Sequence, residues 1–130
     1  MINANELRMG SLIEKDNVMY KFLSLEQNHA STSEYRWYWV ETLDGKLGHY
    51  YYSHFNPIPL TPEILEKCGF AFKPTGEEVY EQIWSIDGFE IWEHDSGFCH
   101  DFHYGGDVKH LHQLQNLYFA LCGEELNYTP

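Results

Sequence analysis

The chain has 130 residues, 43% of them hydrophobic and 17% aromatic, and a formal net charge of -12 from 20 acidic and 8 basic side chains. Its length suits one compact domain, and its apolar content excludes a disordered chain. The charge works against binding to phosphate backbones or anionic membrane surfaces, and no apolar run is long enough to cross a membrane as a helix.

Taken in chain order, "NANELRM" fits a helical turn that Gly10 releases into a short strand, "SLIEK". The Asp16-Asn17 pair suits a tight turn into "VMYKFLSL", where Val18, Tyr20 and Phe22 alternate with Met19, Lys21 and Leu23. "HASTSE" reads as a polar loop, and "YRWYWVETL" is dense in the aromatic and β-branched residues that strands favour. Asp44-Gly45 signals a hairpin, with "LGHYYYSHF" as the return strand. These short strands predict a small, strongly bent antiparallel sheet or barrel.

The segment "NPIPLTPE" divides the chain. In "LTPEILEKCGF", Thr61 is an N-cap, Pro62 fits the first helical position, and Glu63 suits the positive end of the helix dipole. Gly69 can take the left-handed C-terminal position, with Phe70 folding back on Leu65 or Ile64. Three antiparallel strands are then expected: "EEVYEQIWSI", an Asp87-Gly88 turn, "FEIWEH", an Asp95-Ser96-Gly97 turn, and "FCHDFHY". Gly105-Gly106 breaks the last of them. Asp107 is the expected N-cap of a final helix that Gly123 ends, with Leu111, Leu114, Leu117, Tyr118 and Leu121 on one stripe. The expected fold is therefore α+β: a small N-terminal antiparallel sheet or barrel, a short helix, a three-stranded meander and a C-terminal amphipathic helix packed on it. It is expected as a single domain, 1–130, with a β-rich part, 1–56, and a helix–meander–helix part, 57–130.

The stretch from Phe98 to Leu126 is rich in histidine and cysteine, which raises the question of a metal or catalytic site. On that helix His110 and His112 point about 160° apart and do not easily share an ion. Along the strand, His100 faces with Phe98 and Phe102, whereas Cys99, Asp101 and His103 face the other way. His94 on the preceding strand can come opposite that row. His94, Cys99 and His103 are thus the best metal or nucleophile candidates, although acidic neighbours such as Asp101 oppose thiolate formation.

Other signals are weaker. The cysteines, Cys68, Cys99 and Cys122, are odd in number and show no C-x-x-C spacing, which fits free thiols in a reducing compartment. The first residues lack the apolar core of a signal peptide, so a cytoplasmic location is expected. The aromatic strands could stack a base or sugar, but the nearby basic residues are only Arg36 and Lys46, and core packing explains them better. Glycines 105 and 106 before a helix are too little for an anion site. No phosphate-binding loop, nucleophile elbow or zinc-protease helix is present.

The blocks "NELRMGSLI", "PIPLTPEILEKCGF" and "HQLQNLYFALCGEEL" give the chain a resemblance. It resembles a family of small uncharacterised proteins found in phages, prophages and other mobile elements of gut Bacteroidetes, over nearly its whole length and with the same order of blocks. The resemblance implies origin and architecture and carries no activity. His112 matches the motif; His94, His100, His103 and His110 fall in no recognised block. Family members tend to have Thr where this chain has Cys122, which argues against a required thiol there. The expected function is a non-enzymatic accessory protein acting by contact with a protein partner, without a cofactor. Gln113, Asn116 and His112 on the final helix are the candidate contact residues. A metal- or thiol-dependent enzyme built on His94, Cys99 and His103 is the alternative, as is a small-ligand binder on the aromatic strands.

Overall fold

A computed structural model describes residue 2 and residues 4–27, 36–74, 82–94, 97–100 and 107–130. The chain is α+β and divides into two compact units, Met1–Ile58 and Pro59–Pro130, which meet within the proline-rich segment expected to separate the two parts.

The first unit starts with a single 3-10 turn, Ala4–Glu6, and continues as an antiparallel sheet ordered β1-β2-β3-β4: β1 Leu12–Lys15, β2 Val18–Gln27, β3 Arg36–Thr42 and β4 Leu47–Tyr51. Asp16 and Asn17 both adopt positive φ (52° and 64°), the geometry that lets a two-residue turn follow the twist of its strands. The segment expected as one long return strand stops at Tyr51, and Tyr52–His54 form a 3-10 turn instead. That turn brings Asn56 to the free edge of β1, where its N–H and C=O pair with Glu14 at 2.8 and 3.0 Å. The sheet is open by its strand order, yet curled enough for the chain to return from its β4 edge to its β1 edge within a few residues. "HASTSE" lies outside the described residues.

Period-two alternation fails once, with consequences for the outer face. Between Phe22 and Ser24 the β2–β3 register shifts by one residue. Strict alternation from Tyr20 and Phe22 would turn Ser24 and Glu26 inward. The bulge at Leu23 instead sets Ser24 opposite Trp39 and Glu26 opposite Trp37, on the outward face. The inner face holds a buried cluster of Ile2, Ile13, Tyr20, Phe22, Tyr38, Val40 and Phe55. Tyr38 stacks on Phe55 at 5.6 Å and meets Phe22 edge-on at 5.1 Å. Each such pair adds about 0.5–1.5 kcal/mol beyond the area it buries.

The second unit opens with α1, Pro62–Lys67. Thr61 Oγ1 accepts from the Ile64 N–H at 3.2 Å, and Pro62 stands at the first position, as expected. The helix closes with Phe70 N–H donating to Leu65 O and Gly69 N–H to Glu66 O, each at 3.0 Å, while Gly69 sits at φ 94°. This paired ending satisfies carbonyls that the last turn would leave open. Leu65 and Cys68 are buried, the docking a two-turn helix requires.

The sheet that follows has five strands rather than three: β5 Ala71–Pro74, β6 Gln82–Ile86, β7 Phe89–His94, β8 Gly97–Cys99 and β9 Asp107–Val108, in that order. The two additional strands are short edge segments that carry too few alternating residues to be read from pattern. Asp87 and Gly88 make the expected tight turn with positive φ at both residues. Asp107 is not the N-cap of the final helix; it pairs with Cys99, and Val108 with Phe98. His110 then bridges Pro59, and Leu60 N–H donates to Lys109 O at 3.0 Å. Those pairings keep the chain extended until α2, Leu111–Cys122. Gln113 Oε1 accepts from the backbone N–H of Lys109 and of His110, each at 3.1 Å, half of a capping box. Gly123 ends α2 in the left-handed conformation, as expected.

One face of this sheet carries Trp84, Phe89, Ile91, Phe98 and Val108, all buried. Tyr118 of α2 meets Phe89 edge-on at 5.2 Å, so the helix lies on that face with Leu111 and Leu114 fully buried. The stripe ends earlier than expected: Leu121 is 58% exposed in the last turn. Thr129 N–H donates to Lys67 O at 2.8 Å and ties the end of the chain to α1.

Candidate functional site

Two of the three sequence candidates converge. Trp92 stands opposite Cys99 and His94 opposite Gly97, so His94 and Cys99 share one face of the β7–β8 pair as diagonal neighbours. His94 Nε2 lies 3.0 Å from Cys99 Sγ. Cys99 is only 5% exposed, while His94 is half-buried. His103, the third candidate, lies outside the described residues, as do Asp101, Gly105 and Gly106. The strand that was to carry His103 ends at Cys99 among the described residues, and His100 follows in a bend. His100 turns to the opposite face: its Nδ1 lies 3.0 Å from Glu90 O, and its ring stacks on Phe89 at 4.6 Å. Among the described residues no three His, Cys, Asp or Glu side chains come together in a way that could hold a metal ion.

The final helix treats its candidates differently. His112 is 1% exposed, so its ring belongs to the interior and not to a contact surface. Gln113 is engaged in the cap, and Asn116 is half-buried. Gln115 is buried. The angular separation of His110 and His112 is also corrected. His110 precedes the helix in extended backbone, and the two rings lie nearly parallel with centroids 5.8 Å apart.

The aromatic strands of the first unit divide by face. Tyr38 and Val40 point into the core. Trp37, Trp39 and Glu41 on β3 point outward, opposite Tyr51, His49 and Leu47 on β4. On this outer face His49 sits between the two indoles, stacked on Trp39 at 4.1 Å and tilted against Trp37 at 5.1 Å. One carboxylate oxygen organises the group: Glu26 Oε2 accepts from Trp39 Nε1 at 2.9 Å and lies 2.9 Å from His49 Nε2. Tyr51 extends the row by meeting Trp37 edge-on at 5.5 Å. The Glu26 side chain is 52% exposed, so the carboxylate at the centre of the row faces water. Core packing was the expectation for these aromatics, and it holds for only one face. The available signal was "FLSLE", where two apolar residues in succession followed by alternating ones mark the bulge.

Cysteine settings differ as well. Burial pushes the Cys68 thiol up to about 12, so at neutral pH it is an inert core group. Cys122, at the end of α2, is exposed, and none of the three cysteines forms a disulfide. No described helix is long and apolar enough to cross a membrane. Comparison with known proteins finds no family model, no curated protein and no solved structure that matches this chain.

Proposed function

We propose that the protein is a non-enzymatic accessory protein of a phage-type mobile element of gut Bacteroidetes, acting in the cytoplasm through contact with a basic protein partner. The observation that carries this reading is the outward row of Trp37, Trp39, His49 and Tyr51 around the water-facing Glu26 carboxylate. Tryptophan and tyrosine supply large contact area at low entropic cost and dominate the energetics of protein interfaces. A carboxylate among their ring faces suits an incoming arginine or lysine, which gains an ion pair and a cation–π contact together. The net charge of -12 steers a basic partner towards the chain and repels nucleic-acid backbones. The mobile-element origin rests on the resemblance of the three sequence blocks.

The test is affinity capture from a host lysate with the wild-type chain and a Trp37→Ala/Trp39→Ala variant in parallel. The expected result is a basic protein held by the wild type, lost by the variant at unchanged secondary structure, and released as salt is raised. Equal capture by both chains, or salt-insensitive capture, overturns the reading.

A further inference from the structure

We infer that Cys99 is a histidine-activated thiol, a site of oxidation by hydrogen peroxide within the second unit. This is separate from the proposed contact surface, which belongs to the first unit. The geometry begins with register. Cys99 on β8 and His94 on β7 are diagonal neighbours on one sheet face, and the Trp92–Cys99 and His94–Gly97 pairings hold both backbones in place. Their reacting atoms, His94 Nε2 and Cys99 Sγ, are 3.0 Å apart, so a proton can pass between them without rearrangement. An imidazole at this distance takes the thiol proton and leaves a thiolate beside an imidazolium, the pairing that activates cysteine nucleophiles elsewhere.

Among the described groups around the sulfur are Trp92 and His94 on β7. On β9, Asp107 stands opposite Cys99 on the same face. The Asp107 carboxylate opposes ionisation, but Asp107 is exposed and its field is screened by water, whereas the imidazole is in direct contact with the sulfur. His100 is turned away and held by Glu90 O and the Phe89 ring. Cys99 is 5% exposed, so a small oxidant suits it. Cys68 provides an internal contrast, because it is 4% exposed and its thiol is moved by burial alone.

In the reaction the thiolate sulfur attacks one peroxide oxygen. The S–O bond forms and the O–O bond breaks. The departing hydroxide takes the imidazolium proton from His94 and leaves as water. Sulfur is oxidised by two electrons to the sulfenic acid, and one molecule of peroxide is reduced to water.

The test treats the whole folded chain with hydrogen peroxide, removes the peroxide, unfolds the chain in denaturant containing dimedone to trap sulfenic acid, and follows Cys68, Cys99 and Cys122 separately by peptide mass spectrometry. At pH 7 Cys99 is expected to react on the order of tenfold faster than the equally buried Cys68. His94→Gln should lower Cys99 to the Cys68 rate and leave Cys122 unchanged, while buried Cys68, which would react faster on unfolding, monitors the fold. Equal rates at Cys99 and Cys68, or a Cys99 rate indifferent to His94→Gln, overturn the inference. The pH profile of the wild-type chain decides without any variant. A Cys99 rate that rises at lower pH than that of Cys122 supports the inference, and superimposable profiles overturn it.

Discussion

The two sheets use their faces differently, and the difference shows in what each gives a histidine to bond. In the first sheet only the inner face is closed. The outer face leaves Trp37, Trp39 and Glu41 half-buried, and its histidine, His49, pairs with a carboxylate open to water. In the second sheet the face under α2 is closed, yet Ile83 and Cys99 on the other face are buried too, and its histidine, His94, meets a nearly buried thiol. An exposed pair competes with water and is worth little for stability. The His94–Cys99 contact is less open to water, so breaking it costs more.

The largest way to sharpen this contrast compares neighbours on β3. Tyr38→Ala, which empties the core of the first sheet, should cost about 3–5 kcal/mol in urea unfolding. Trp39→Ala, one residue on and on the open face, should cost about 1 kcal/mol. Comparable losses would mean that the outer face is not open. Next in size is Gly69→Ala. At φ 94°, with Ile86 Cδ1 3.2 Å from the position of an added Cβ, it should lower the stability of the second unit by about 1–2 kcal/mol. Cys99→Ala removes a partner of His94 on the face away from α2 and should cost about 1 kcal/mol in thermal unfolding. Glu26→Gln on the open face should cost less than about 0.5 kcal/mol and should weaken partner capture far more than stability. If Glu26→Gln proves costlier than Cys99→Ala, the contrast between the faces fails.

At neutral pH the smallest effect is that of Cys68. Its folded thiol is raised above its ordinary value of 9.0, to about 12, so the unfolded chain ionises first. The stability this contributes is fully present below pH 9 and is lost as pH rises towards 12. Cys68→Ala should remove that alkaline dependence, as denaturant midpoints recorded between pH 8 and 11 will show.

Much of the fold was legible in local chemistry, and the site only in part. Asp16-Asn17, Asp87-Gly88, Thr61, Gly69 and Gly123 all do what their residue types demand. The convergence of His94 with Cys99 followed from alternation along two adjacent strands, and alternation is reliable where no bulge intervenes. It failed at Leu23, where the bulge turned Glu26 outward and created the group with Trp39 and His49. Local cap chemistry misled at Asp107. That residue has the chemistry of a helix cap, but pairing with Cys99 and the His110–Pro59 bridge outweighed its local preference.

The sequence by itself determined the Asp16-Asn17 and Asp87-Gly88 turns, the helix ends at Thr61, Gly69 and Gly123 and the two β-rich halves, because these depend on φ preferences and on hydrogen bonds a few residues long. Only tertiary structure decided which face of each sheet is closed, that His112 lies inside, and that His49 and His94 meet a carboxylate and a thiol. Those outcomes depend on register between strands and on what packs over them, and a one-residue shift in register reverses every side chain beyond it.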